Sequence, residues 1–462
     1  MRPSRALFST ALAFVSVLFW SARLPAAGIP KDEPAIRHAL SRLTFGPRPD
    51  DVEKVRRMGL STWIDRQLTP SKIDDHAAES RLLPLPTRPE RFDSMMEARR
   101  FGRQSVETLS ANKITRAVYS ERQLDELLVD FWFNHFNVFA GKGRTGLYVA
   151  EYERDAIRPH VLGTFRDLLG ATAKSPAMLF YLDNWLSADP EAAERIANRR
   201  GPNQQAGGNG RRRGLNENYG RELLELHTLG VDGGYAQKDV IEVARAFTGW
   251  TIAPADGGRG RAGRAGGQFQ AGIVQDGEFR FVPALHDRGD KVVLGHTIRG
   301  GGMDEGEQVL DILAAHPATA RHIARELAQR FVSDTPSDAL VARVAKRFTE
   351  THGDLREVMR TLISSPEFFA QGTRGAKVKT PIEFVASAYR TSGREMSQPR
   401  QAVRALQELG EAPYMCQPPT GYDDTADAWI NAGALVARMN IAQQIAGPQQ
   451  AATIGGPEFQ RR

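Results

Sequence analysis

Glu222, Glu225 and His227 lie together in the stretch Asn216–Gly230, the densest concentration in the chain of residues suited to acid–base or metal chemistry. Carboxylates supply acid–base pairs and hard ligands, and imidazole supplies a base or a softer ligand. The stretch reads as one helix: Asn216 suits the N-cap, Glu217 the positive end, and Gly230 the left-handed position just past the last turn. At about 100° per residue, Asn218, Glu222, Glu225 and Leu229 share one narrow face beside the apolar face of Tyr219, Leu223 and Leu226. Glu222 therefore borders the core. His227 projects well around the cylinder, where the negative helix end favours its cation, so capping accounts for it as well as catalysis does. One ion cannot draw all three from a straight helix, and a metal needs ligands from elsewhere.

His135 and His286 are the candidates to supply them. His135 falls amid Leu124, Leu128, Phe131 and Val138, at the centre of an apolar face, where a hydrogen-bonded core histidine is the commoner outcome than a ligand. Glu126, Asp130, Asn134 and Asn137 form the opposing polar strip, either solvated or orienting a substrate. His286-Asp287 is a pair that metal-dependent phosphohydrolases also use, but it sits in a turn-like segment without the further histidine and distant aspartate those enzymes need. The metal set the residues permit is His135, Glu222 and His286, holding a divalent cation. Glu222 and Glu225 would otherwise act as the acid–base pair with His227, or pair with arginines such as Arg221 or Arg245. Cys416, the only cysteine, has no base beside it and reads as a buried, inert thiol. It also excludes cysteine-rich zinc and iron–sulfur sites within one chain. Glu-x-x-His pairs of the di-iron type, His-Glu-x-x-His, Walker loops, dinucleotide fingerprints and serine elbows are absent.

The elements that must position these residues are mainly α-helical, with helices expected over more than half of the chain. Pro49 to Met58 and Thr62 to Leu68 read as short helices, Pro317 opens one carrying Ile323, Leu327 and Phe331, and Ser337 and Asp354 cap two more. The exception is a small inserted β-hairpin region at 279–298, with strands at Phe279–Val282 and Lys291–Leu294 around the turn His286–Asp290. The segments 197–214 and 254–272 are rich in Gly and Arg with few large apolar residues, and read as mobile insertions that could border the same cleft.

Residues 1–27 read as a secretory signal peptide, with Arg2 and Arg5 ahead of the apolar run Ala6–Trp20 and small residues at Ala26-Ala27. Retention as an N-terminal anchor is the lesser alternative. Residues 28–462 then form a single large domain, periplasmic or secreted, with no later segment apolar enough to span a bilayer. Without Arg2, Arg5 and Arg23 the chain has 58 basic residues against 55 acidic, a balance that gives no support to a nucleic-acid partner. With no internal disulfide available, the core alone must stabilise the fold, which a chain of this size can supply.

Several blocks in order resemble the bacterial family designated domain of unknown function 1800. They are His38–Pro47, Phe131–Val138, the acidic helix through Tyr235, Ala244–Trp250, His286-Asp287 with Lys291 and Leu294-Gly295, and Lys379-Thr380-Pro381. The chain departs from the usual family pattern in its Gly/Arg-rich insertions and at Gly421-Tyr422, where the family tends to have Gly-Trp. The resemblance implies a largely helical, commonly exported protein whose genes often accompany those of a second exported family resembling sulfatases and alkaline phosphatases, a candidate partner, and it brings no reaction with it. Two functions fit the residues: a hydrolytic enzyme using a carboxylate/histidine site, or a noncatalytic helical scaffold or binding protein acting with the sulfatase-like partner. Oligomeric state is not readable from the residues.

Overall fold

Alternation of apolar and polar residues at helical spacing runs through most of the chain, and the computed structural model is correspondingly mainly α. It describes residues 28–199, 214–253 and 274–462. Residues 1–27, residues 197–214 in most of their length and residues 254–272 lie outside the described residues. Among the described residues no helix is long and apolar enough to cross a membrane.

The expected short helices form at Asp51–Met58 and Leu60–Gln67. Ser337 and Asp354 accept backbone N–H groups at the starts of Asp338–Glu350 and Leu355–Ile363. Each cap satisfies donors that have no partner within the first helical turn. The core joins these helices through aromatic contacts. Phe165 lies 6.0 Å from Trp132, 6.3 Å from Phe136 and 5.5 Å from Phe348, ring centre to ring centre. The helix Gln123–His135 is thereby fixed against Phe165–Lys174 and Asp338–Glu350.

The acidic helix spans Glu217–Glu225, with the Asn216 side chain accepting the Asn218 N–H. It stops before His227, so the face calculation for a straight helix through Gly230 does not apply to that residue. The N–H groups of Leu226 and His227 both turn onto the Glu222 carbonyl, and the Thr228 hydroxyl caps the Leu223 carbonyl. Gly230 follows at φ +82°. A Cβ there would also stand 3.0 Å from His322 Nδ1, so both conformation and close approach select glycine.

The β region stands where the sequence puts it, but its two expected strands do not pair with each other. Phe279–Phe281 lies between Trp250–Ile252 and Val274–Asp276, while Lys291–Val293 pairs with His296–Ile298, all antiparallel. The segment between them is held by side chains instead. Asp287 receives two hydrogen bonds from Arg245, at 2.8 and 3.0 Å, which draws His286–Asp290 onto the helix Gln237–Ala246. The tight turn falls at Leu294-Gly295, both at positive φ, as a two-residue hairpin requires.

Candidate functional site

His135 is the last residue of its helix and is buried. Its Nε2 donates to the His227 carbonyl at 3.2 Å, and its Nδ1 lies 2.6 Å from Glu326 Oε2. A carbonyl can only accept, so the proton on Nε2 is assigned and Nδ1 is turned to the carboxylate. The other carboxylate oxygen of Glu326 is 3.4 Å from His322 Nε2, which also lies 3.1 Å from the Leu226 carbonyl. His322 and Glu326 come from the helix Pro317–Phe331 at i,i+4, which puts both on one face. One carboxylate thus bridges two imidazoles, and carbonyls in the turn after the acidic helix hold both rings.

His135, His322 and Glu326 each offer a donor atom, and these atoms all lie within 4.8 Å of one another. With metal–nitrogen and metal–oxygen bonds of about 2.0–2.2 Å, donors sit up to about 4 Å apart around one ion, so modest side-chain rotation closes the set. In His135 the Nε2 bond to a backbone carbonyl fixes the tautomer that leaves Nδ1 to ligate, whereas His322 would have to turn its Nε2 from the Leu226 carbonyl. Burial works to raise the Glu326 pKa, but the two imidazoles outweigh it and hold the group below its ordinary value. The cleft in front has a volume of about 140 Å³ and is shared with Asn134, Gln329, Thr420, Tyr422 and Asp423.

The residues singled out in the sequence are distributed otherwise. His227 contributes its carbonyl rather than its ring, whose centre is 6.3 Å from that of His135. Burial and the neighbouring His135 and His322 push its pKa down to about 3, and its Nε2 has no hydrogen-bond partner. Glu222 is half-buried and raised in pKa by that burial and by Glu225, while Glu225 accepts a hydrogen bond from the Tyr235 hydroxyl at 3.2 Å. Among the described residues neither glutamate forms an ion pair with an arginine. Arg221 turns to Glu217 and Gln237, and Arg245 to Glu242 and Asp287.

His286 does not meet His135 and Glu222. Its Nδ1 is 2.8 Å from the Thr248 carbonyl and its Nε2 is 3.0 Å from Glu305 Oε1, so both ring nitrogens are engaged. Lys291 Nζ lies 2.5 Å from the other Glu305 oxygen, and neither of those side chains is exposed to solvent. Glu305 is held down to about 2: burial opposes ionisation, and hydrogen bonds from His286, Lys291 and the Gly301 N–H overcome it. This is a closed structural triad.

The polar strip of the His135 helix is not solvated. Asp130 lies 2.7 Å from Lys113 and 3.0 Å from Arg330, and Glu126 lies 2.7 Å from Arg158. Asn137 donates to the carbonyls of Cys416 and Pro418. Asn134 both donates to and accepts from the Tyr422 backbone, at 2.8 and 2.7 Å. A Cβ on Gly421, at φ +73°, would lie 2.5 Å from the Asn134 carbonyl oxygen. The amides thus latch the segment Cys416–Asp424 over the site. Cys416 is buried within the latch, and burial with nearby Asp423 and Glu411 pushes its thiol up to about 11, leaving it inert.

His322 and Glu326 were missed because their helix was read for its apolar stripe of Ile323, Leu327 and Phe331. The signal available was the i,i+4 histidine–glutamate spacing beside that stripe. The architecture is that of a mainly α protein with a histidine–carboxylate cluster where the end of one helix, the middle of another and the turn after a third meet. The chain belongs to the family described as "Protein of unknown function (DUF1800)", which matches residues 38–460. No curated protein and no solved structure matches it.

Proposed function

We propose that the protein is an exported hydrolase whose reaction centre is a divalent cation held by His135, His322 and Glu326. The observation that carries this reading is the convergence of the three donor atoms within 4.8 Å of one another, with His135 and Glu326 lining a cleft. His135, His322 and Glu326 would hold the cation, which when bound would supply Lewis-acid activation of water for attack on a carbonyl or comparable electrophile. Asp423, exposed at the cleft, adds a carboxylate with no ion pair among the described residues. Export rests on the leader-like pattern of Arg2, Arg5, the apolar run to Trp20 and Ala26-Ala27. A second reading, a noncatalytic scaffold, draws on the engagement of both His135 nitrogens by protein atoms.

Elemental analysis of the full chain after equilibration with zinc or manganese and gel filtration separates the two. The hydrolase reading expects a stoichiometric cation, at least about a tenfold loss of affinity in Glu326→Gln and His322→Ala, and retention in Glu222→Gln. It also expects chelation to abolish turnover of chromogenic esters or amides. Full metal content in Glu326→Gln overturns the assignment. Loss in Glu222→Gln alone returns the site to the acidic helix, and no metal in any form leaves the scaffold.

A further inference from the structure

A groove of about 1160 Å³ runs along the first half of the long helix Met95–Tyr119 and shares no lining residue with the cleft at the histidine cluster. Its floor is small and apolar. Ala98, Gly102 and Val106 repeat at helical spacing, and Gly102 packs against Gly146, where an added Cβ would make ordinary contact at 3.4 Å. Leu147 and Phe180 form one wall, and Val403 from the helix Pro399–Glu408 the other. Met95 and Met96 project from the rim at 56% and 80% exposure. Unbranched, polarizable methionine side chains at a rim adapt to an incoming apolar surface.

The charge around the groove is one-sided. Arg99, Arg103 and Arg144 line it against a single carboxylate, Glu107. Several arginines outside the groove are tied down, as Arg88 is to Glu151, Arg158 to Glu126 and Arg330 to Asp130. Among the described residues none of the three groove arginines is ion-paired. An apolar trough edged by unpaired guanidinium groups matches a ligand with one apolar face and acidic flanks. The open, elongated shape suits a helix laid lengthwise.

We propose that this groove docks an acidic amphipathic helix of a partner protein, with leucine-type side chains over Gly102 and Val106 and carboxylates against Arg99, Arg103 and Arg144. The inference does not depend on the metal site. Bidentate arginine–carboxylate pairs at the rim set orientation and encounter rate, and the buried apolar stripe supplies most of the affinity.

The test is fluorescence anisotropy of the full chain with a labelled amphipathic peptide of leucine and glutamate, and with its leucine–lysine counterpart. The acidic peptide binds and the lysine peptide does not. Raising salt weakens the complex. Arg99→Glu with Arg103→Glu weakens it at least about tenfold, equivalent to about 1.4 kcal/mol, and Met96→Asp weakens it without altering those arginines. All of these sites are exposed, and an unchanged thermal midpoint verifies the fold of each variant. Equal binding of both peptides, indifference to the arginine substitutions, or no binding of the acidic peptide overturns the proposal. Arginine-dependent binding of sodium dodecanoate that excludes the acidic peptide makes the groove an acyl-chain site and overturns it equally.

Discussion

At the scale of single residues, the cluster depends on a glycine that takes no part in its chemistry. Gly230 carries a positive φ and stands where any Cβ would press on His322. Gly230→Ala imposes both the left-handed backbone penalty and a displacement of the imidazole. The expected result is a stability loss of about 1–3 kcal/mol, read from urea denaturation, with weaker metal retention in the same variant. A stability loss with metal affinity untouched would show that His322 does not need that approach. The sequence made the left-handed backbone of Gly230 legible, although the helix it was expected to end stops earlier, at Glu225. The second role of Gly230 was not, because the residue it accommodates lies far along the chain.

At the scale of elements, His286-Asp287 and Lys291 stood out in the sequence, and the structure uses them to fasten the hairpin Lys291–Ile298 to the helix Met303–Ala315 through Glu305. Two cationic or hydrogen-bonding partners converge on one unexposed carboxylate, so neutralising it leaves the Lys291 charge buried without an anion. Glu305→Gln is expected to cost about 3 kcal/mol or more, measured by chemical denaturation, while metal binding at His135 is retained. The two expected strands were visible from their apolar alternation. Their partners were not, because pairing was decided by Arg245 pulling Asp287 aside and by Leu294-Gly295 offering a tighter turn. The acidic helix shows the same limit: its start was fixed by Asn216, whereas its early end came from Thr228 and from helix contacts that no local pattern records. His322 and Glu326 were legible as a spacing, but only the fold brings His135 to them.

At the scale of the whole molecule, buried ionisable groups tie stability to pH with opposing signs. His38 is buried with Nε2 donating to the Phe368 carbonyl. Burial, with the Arg42 charge close by, lowers its pKa from 6.5 to about 4. The unfolded chain takes up that proton as pH falls below about 6.5, and the native chain refuses it until about 4. Stability from this residue is therefore full above pH 6.5 and is lost progressively between 6.5 and about 4. Glu411 runs the other way. Burial and the nearby Asp130 raise its pKa to about 8, so its proton stabilises the native state relative to the unfolded one less and less as pH rises from the ordinary carboxylate range through 8. The two slopes offset each other in mildly acidic buffer, and the wild-type curve alone does not separate them. His38→Gln keeps a side-chain donor for Phe368 and removes only the histidine titration, so the Glu411 contribution cancels in the difference between the two proteins. Denaturation midpoints between pH 7 and 4 should converge toward the variant, with the wild type losing about 3 kcal/mol relative to it across that range. A pH-independent difference would show that His38 titrates alike in the folded and unfolded chains, so that burial does not hold its proton off.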